Sequence, residues 1–397
     1  MPDLLLVGKV DGVLGKLAAA VGRLNPDWSI LQIADGHAAL EHVEHRSTDL
    51  VLASLGDQPV AYEQLFVDVA EKSTNTIRMA MMPSTAGVPP RIAHAHQVLA
   101  VRDNLEYLSP VLTAAAEVSG RMRNHVRLEH IICNLQDVPS PPTLYFDIRE
   151  ALENPTGDHA LMAEITSKDP SLVARVLKIA NSGFYALPRS VSDLSEAIGL
   201  IGLDALLGLV LAAHLYSGLP PPGLKLELLW QHTMQVSLLA REITRMEGGN
   251  RNDQGQSAVA GLLHDIGLMV LLENEAGRYQ PLWRRSRGDE LELAVMEREA
   301  FGVTHGELGA LILMLWNLPD AVVDAVANSH APAEVLNEQG KELSLTSQSV
   351  LAAEWLLDET GNRSLSEPPH TLDLVPADKL ENWKLLRDEL ASEMSAL

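Results

Sequence analysis

The chain has 397 residues and a formal net charge of −23, because 53 acidic residues outweigh 30 basic ones. Nucleic acids and anionic membrane surfaces are bound through clustered basic side chains, so this charge balance predicts neither as a direct partner. Hydrophobic residues make up 46% of the chain, which is enough for buried cores, and the single cysteine, Cys133, excludes a disulfide framework. The longest apolar runs, such as residues 206–213, are shorter than the roughly 20 residues of a membrane span. With no signal-peptide pattern at its start, the chain is predicted to be cytoplasmic.

Short apolar runs alternate with stretches of helical periodicity in the first 120 residues. Strands are predicted at 4–7, 29–33, 49–55, 77–82 and 98–101, and helices at 13–24, 38–44, 62–70 and 105–118. This alternation indicates an α/β domain with a doubly wound parallel sheet over residues 1–120. A sheet of this kind places its ligands at the carboxyl ends of its strands.

From about residue 124 the periodicity changes, and nearly every apolar stretch has helical spacing. Proline and glycine pairs separate these stretches, so an all-α domain is predicted for residues 125–335. The remaining residues, 336–397, are predicted to be an acidic helical extension that packs on this domain, with helices at 347–357 and 378–394. The fold class is therefore multi-domain: α/β first, then all-α.

The first 120 residues resemble the flavodoxin-like receiver domain of two-component response regulators. The resemblance depends on Ala34–Leu40 after the second strand, Asp49–Leu52 in the third and Ala95–Ala100 at the start of the fifth. A receiver uses an acidic pair, a phosphorylated aspartate and a lysine, since carboxylates bind Mg²⁺ and lysine neutralises the phosphoryl charge. Other residues occupy these positions here, namely Gly8 and Lys9 for the acidic pair, Ser54 for the phosphate acceptor and Val101 for the lysine.

The resemblance therefore implies a pseudo-receiver that keeps the fold without the phosphoryl chemistry. Its implied role is docking of signalling partners or formation of a homodimer. Asp57, three residues after the acceptor position, leaves open a phosphorylation-responsive alternative, although a loop-turn role suits it better.

The helical half carries a series of motifs in a defined order. They include Lys168-Asp169-Pro170, Ala180-Asn181-Ser182-Gly183, Leu187-Pro188-Arg189, Ala197-Ile198-Gly199-Leu200-Ile201-Gly202, Leu263-His264-Asp265-Ile266-Gly267, Thr304-His305-Gly306-Glu307 and Asn328-Ser329-His330. This series is similar to the HDOD domain, a bacterial signalling module related to the HD phosphohydrolases.

The resemblance implies a groove that several polar residues of these motifs could line. They are Lys168, Asp169, Asn181, Ser182 and Arg189, with His305 and His330 later in the motif series. Helix capping alone also explains Asp169 and Asn181, and the residue types favour that interpretation.

The His264-Asp265 pair raises the question of a metal site. In the related hydrolases a histidine, a His-Asp pair and a later aspartate bind a divalent metal, and here those positions fall on His232, His264, Asp265 and Glu354. Imidazole and carboxylate together suit Mn, Fe, Zn or Mg, and the metal would activate water against a phosphate ester. The favoured interpretation is nevertheless structural: His264 and Asp265 bind each other, no cofactor is required, and Glu354 is a surface carboxylate of its helix.

The resulting prediction is a regulatory protein that binds proteins or small ligands through its HDOD domain and is not an enzyme. The alternative is a metal-dependent HD-type phosphohydrolase acting on a nucleotide.

Overall fold

The computed structural model describes residues 1–9, 13–55, 59–83, 92–101, 105, 108–124, 129, 131–133, 135, 138–153, 158–182, 189–215, 225–286, 289–330, 343–360 and 377–394. The chain divides into two compact units. The first comprises residues 1–143, 301–303 and 311–318, and the second comprises residues 144–300, 304–310 and 319–397.

The first unit is built on a five-stranded sheet whose strand order is β2-β1-β3-β4-β5 and whose pairs are all parallel. Parallel strands need crossover connections, and those from β1 to β2, from β2 to β3 and from β3 to β4 each contain a helix, which gives a doubly wound α/β arrangement with the flavodoxin-like strand order. Its strands are β1 (Asp3–Val7), β2 (Ser29–Ile33), β3 (Leu50–Ser54), β4 (Ile77–Pro83) and β5 (Gln97–Val101), and its helices are α1 (Val13–Leu24), α2 (Gly36–His45), α3 (Pro59–Lys72) and α4 (Leu108–Asn124).

The central strands of this sheet are apolar because helices cover both faces. Leu5 pairs with Val51 on one side and with Leu31 on the other, and residues of this row are nearly inaccessible to solvent along β1 and β3. The prediction of an α/β domain is thus confirmed. Helix α4 differs from its predicted bounds, since it begins three residues later and continues beyond residue 118 to Asn124.

The second unit is helical throughout its described residues. Its helices are α5 (Thr143–Glu153), α6 (His159–Thr166), α7 (Pro170–Ala180), α8 (Leu194–Ile201), α9 (Leu203–Leu215), α10 (Leu226–Met246), α11 (Arg251–Leu263), α12 (Ile266–Asn274), α13 (Ala276–Ser286), α14 (Glu290–Phe301), α15 (His305–Leu315), α16 (Asp320–Asn328), α17 (Leu345–Thr360) and α18 (Ala377–Met394), of which the first residue of α5, the last of α14 and the end of α15 belong to the first unit.

Helix α11 lies at the centre of this unit and packs against α9, α10, α16 and α17. Its start is defined by a capping box: the Asn250 side chain accepts from the backbone of Asp253, and the Asp253 side chain accepts from the backbone of Asn250. Helix α18 contacts α10 and α17, and the Trp383 indole donates to a Glu247 oxygen over 3.1 Å. The C-terminal helix is therefore part of the same helical unit.

Candidate metal centre

The His-Asp pair lies at the junction between α11 and α12. His264 is the residue that follows α11, and Asp265 precedes α12. Both are buried, and His264 Nε2 lies 3.4 Å from Asp265 Oδ2. The backbone turn between the two helices thus presents an imidazole and a carboxylate side by side.

Glu354 and His232 complete one side of this centre. Glu354, on α17, is only 4% exposed, so the prediction that it is a surface carboxylate is wrong. Its Oε2 lies 3.4 Å from His264 Nε2, and its Oε1 lies 3.1 Å from Nε2 of His232 on α10. His232 is the most open of these residues, with 21% of its side chain exposed.

His305 and His330 approach Asp265 from the other side. His305 is the first residue of α15, and His330 follows α16. Their Nε2 atoms lie 3.8 Å and 3.5 Å from Asp265 Oδ1, whereas Oδ2 faces His264. The two oxygens of Asp265 therefore face different histidines, as the oxygens of a carboxylate that bridges two metal positions would.

The atoms that meet here are those that coordinate metals. Within the part of the chain that the structure describes, His264 Nε2, His330 Nε2 and both oxygens of Glu354 are buried and make no hydrogen bond of acceptable geometry. His264 Nδ1 lies 2.8 Å from the Gly261 carbonyl, so Nδ1 donates to that oxygen and Nε2 keeps its lone pair.

The spacing of these donors also fits a metal. They form three overlapping groups, and within each group the donor atoms lie within 4.8 Å of one another. The groups are His232, His264 and Asp265; His264, His330 and Glu354; and Asp265, His305 and His330. Ligands at about 2.1 Å from one cation lie roughly 3.0–3.4 Å apart, which is close to the shorter distances above. The residues present therefore fit one or two divalent cations.

The electrostatics keep both carboxyl groups ionised. Burial raises the pKa of Asp265, but His264 and then His330 outweigh it and lower this pKa well below its ordinary value. Burial likewise raises the pKa of Glu354, and His232 and His264 bring it below its usual range. Burial lowers the pKa of His330, against a smaller opposing effect of Asp265. Ionised carboxylates and a neutral imidazole are the forms that bind cations.

Two glycines allow the helices to come close enough to form the centre. A Cβ atom at Gly267 would lie 1.9 Å from the His305 carbonyl oxygen, and one at Gly261 would lie 2.6 Å from the Ser237 Cα. Since both obstacles are backbone atoms, no side chain fits at either position without moving a helix. Gly267 thereby places α12 against the start of α15, where His305 lies.

One further buried carboxylate belongs to this region and was missed by the sequence analysis. Glu297, on α14, is fully buried and accepts hydrogen bonds from the Tyr279 hydroxyl and from both the backbone nitrogen and Nδ1 of His305. Burial raises the pKa of Glu297, but His305 and Tyr279 outweigh this effect and lower it. The sequence pattern could have indicated its burial, because helical spacing places Glu297 on the same face of α14 as the buried Leu293 and Ala294.

The predicted groove residues make local contacts. Asp169 caps α7 by accepting from the backbone nitrogens of Ser171 and Leu172, as capping predicts. The Asn181 side chain forms hydrogen bonds with the backbone of Leu177 and Val191. The Ser182 hydroxyl donates to the Ile179 carbonyl, Arg189 donates to Glu196, and Lys168 is exposed. Asn181 is the residue that caps the C-terminal end of α7, at φ −92°.

The predicted receiver positions lie at the carboxyl ends of strands β1, β3 and β5 of the first unit. A Cβ atom at Gly8 would lie 2.9 Å from Leu14 Cδ1 and 3.3 Å from Ser54 Cβ, so an apolar side chain lies beside these two positions. Lys9 is exposed, and Val101 ends β5. Asp57 lies outside the described residues.

One helical stretch has the length and composition of a membrane span, which the sequence analysis did not identify. It covers Arg251–Asn274, and 89% of its apolar window is buried within the protein, as in the core helix of a soluble fold. In the second unit this stretch comprises α11 and α12. Cytoplasmic location stays a prediction.

Comparison with known proteins identifies the helical half. Residues 138–332 match the family model of the HDOD domain. An uncharacterized protein from Treponema pallidum (strain Nichols) is 26% identical over 199 residues, which are 49% of this chain and 38% of that protein, so this chain spans well under half of its relative.

Two crystal structures share the fold at low identity. One is an HDOD domain protein with unknown function from Geobacter sulfurreducens, with 20% identity and a TM-score of 0.53 over 73% of this chain and 96% of that one. The other, provisionally named a phosphohydrolase, comes from Shewanella amazonensis and has 19% identity and a TM-score of 0.50 over 64% of this chain and 91% of that one. Because the motif series, the helical fold and these matches agree, residues 138–332 are identified as an HDOD domain.

Proposed function

We propose that this chain is a signalling protein whose HDOD domain, completed by α17, binds two divalent cations and serves as a metal-dependent regulatory domain. One observation carries the proposal: among the described residues, His264 Nε2, His330 Nε2 and both oxygens of Glu354 are buried and converge without a hydrogen bond of acceptable geometry. His232, His264, Glu354 and Asp265 Oδ2 would hold the first cation. Asp265 Oδ1, His305 and His330 would hold the second.

The donor set also indicates the class of metal. Four imidazoles favour Fe, Zn or Mn over Mg, which prefers oxygen ligands and retains its waters. Metal analysis of the purified chain, before and after treatment with a chelator, tests the proposal. We expect two equivalents of metal in the native protein and nearly none after Asp265→Asn, because this residue is shared by both positions.

Asp253→Asn is the matched control, since Asp253 is an aspartate of the same helical pair but lies in the capping box at the far end of α11. It should keep the metal content unchanged. A native protein without stoichiometric metal, grown and purified with Mn, Fe and Zn present, would contradict the proposal.

Hydrolysis of a phosphate ester is the second candidate function. It is favoured by the donor count, because three protein donors at the second position leave coordination sites for water and a phosphate oxygen. The partly exposed His232 side chain also provides contact with solvent. When bound, the metal would supply a water of lowered pKa as nucleophile. Turnover of bis(p-nitrophenyl) phosphate by the Mn²⁺-loaded chain, lost in Asp265→Asn, would establish hydrolysis, and no turnover would leave the regulatory role.

For the first unit we propose a receiver-like domain without phosphoryl chemistry, used to dock signalling partners or to form a homodimer. The support is the packing of Leu14 beside Gly8 and Ser54, where a receiver needs carboxylates and bound Mg²⁺. Incubation with acetyl phosphate and Mg²⁺ should therefore leave the intact mass unchanged. A stoichiometric phosphoryl adduct on Asp57 would refute this part of the proposal.

A further inference from the structure

The carboxylate of Glu297 lies directly behind the candidate ligand His305. Its oxygens are 2.8 Å and 2.9 Å from His305 Nδ1, and one of them also accepts from the His305 backbone nitrogen over 2.8 Å. The Tyr279 hydroxyl donates to the same carboxylate. Both Glu297 and Tyr279 are fully buried. All three donors therefore converge on one ionised group inside the protein.

This arrangement determines how His305 presents its ring. A carboxylate can only accept, so Nδ1 carries the hydrogen and Nε2 keeps the lone pair. That nitrogen faces Asp265 Oδ1, 3.8 Å away. The backbone contact to the same carboxylate also holds the start of α15, so both the position and the tautomer of His305 depend on Glu297.

His264, on the other side of the centre, has a different kind of partner. His264 Nδ1 donates to the neutral carbonyl of Gly261. A carboxylate partner increases electron donation by a metal-bound imidazole more than a carbonyl does, and groups that hydrogen-bond to a metal ligand contribute about 10–100-fold in metal affinity. His305 and His264 thus have chemically different partners at Nδ1.

We propose that Glu297, held by Tyr279, is a positioning residue that sets the affinity of the second metal position independently of the first. This inference rests on the proposed metal function. It assigns a role to two residues that bind no metal themselves, and it predicts that one substitution separates the two cations.

Titration of the full-length, chelator-treated chain with Mn²⁺, followed by electron paramagnetic resonance, tests this directly. Two Mn²⁺ ions that share Asp265 should give a spin-coupled spectrum in the native chain. Glu297→Gln keeps the size of the side chain but removes its charge, so the second Mn²⁺ should bind about 10–100-fold more weakly. At one to two equivalents the variant should show the uncoupled six-line signal of a single bound Mn²⁺.

Glu307→Gln is the matched control. Glu307 lies on α15, the helix that begins with His305. Its carboxylate accepts hydrogen bonds from the Arg298 guanidinium over 2.9 Å and from the Thr304 backbone nitrogen over 3.0 Å, and neither donor is a candidate ligand. It should keep the coupled spectrum. Tyr279→Phe should weaken the second Mn²⁺ less than Glu297→Gln does, and circular dichroism checks that each variant is folded.

The outcomes separate the two proposals. If the native chain binds no Mn²⁺, the proposed function fails. If it binds two ions and Glu297→Gln binds both with native affinity, only the positioning role is refuted. If Glu297→Gln does not fold, Tyr279→Phe decides, and native affinity for the second ion in that variant refutes the inference.

Discussion

Replacement of Glu354 by alanine distinguishes a metal ligand from a structural carboxylate. The residue is buried and its two oxygens face His232 and His264 at 3.1 Å and 3.4 Å. A native chain held at a metal concentration of about 100 Kd gains roughly 2.7 kcal/mol of stability from binding. Loss of a direct ligand should weaken binding by at least about 100-fold, the upper limit for a group that only hydrogen-bonds to a ligand. The same metal concentration would then contribute only about 0.4 kcal/mol.

Differential scanning calorimetry of the full chain, with chelator and with added Mn²⁺, measures this difference. For a unit of this size about 1 kcal/mol shifts Tm by about 2–4 °C. The native chain should therefore gain about 5–10 °C with metal, and Glu354→Ala only about 1 °C. The comparison uses the metal-dependent shift within each protein, so a general loss of stability in the variant does not affect it.

Glu242→Ala serves as the control, because Glu242 lies on α10 and pairs with Arg245 at 2.5 Å. This variant should keep the full metal-dependent shift. Equal metal shifts in the native chain and in Glu354→Ala would refute the assignment of Glu354 as a ligand.

Two further predictions concern other parts of the chain. Burial, and then the nearby charge of Arg78, lower the pKa of His96 well below its ordinary value of 6.5. Because the unfolded chain binds this proton and the folded one does not, stability should fall below about pH 6.5, by up to about 1.4 kcal/mol per pH unit. Urea unfolding between pH 7.5 and 5.5 should show a smaller loss for His96→Gln, and equal losses would contradict the argument. Gly267→Ala should destabilise the chain by about 3 kcal/mol or more, since the new Cβ would lie 1.9 Å from the His305 carbonyl oxygen. Gly277→Ala, with open space at its Cβ, should change thermal unfolding little, and a similarly mild Gly267→Ala would show that α12 can move.

Local sequence patterns predicted the bounds of helices and strands correctly where local interactions determine those bounds. The bounds of α1 and β2 agree with the predicted 13–24 and 29–33, because apolar runs end at polar or proline residues there. Helix α4 was predicted to end before Ser119, a residue that often stops helices. In the structure the Ser119 hydroxyl binds Asp49 and the Asn75 carbonyl, at 3.1 Å and 2.9 Å, and the helix continues. Contacts distant in sequence override the local preference.

The candidate site shows the same limit. The resemblance to the HD phosphohydrolases grouped His232, His264, Asp265 and Glu354, but it gave no information on whether Glu354 is buried. A glutamate on a helix is normally solvated, yet residues 349–356 are all buried, so α17 has no exposed face at this point. The apolar residues on every side of Glu354 were the available signal. Glu297 was missed because its role depends on Tyr279 and His305, which lie on other helices and contact it only in the folded protein.

The composition of this buried centre is itself an argument for metal. A buried polar atom left without a hydrogen bond costs about 1–3 kcal/mol. Four such atoms belong to His264, His330 and Glu354 within the described residues. Ion pairing offsets part of this cost, because His232 Nε2 lies 3.1 Å from Glu354 Oε1 and His264 Nε2 lies 3.4 Å from Glu354 Oε2. Apolar residues in these positions would avoid that cost, whereas coordination of divalent cations would offset it. The concentration of imidazoles and carboxylates at one point in this helical core therefore supports the proposal that it binds cations.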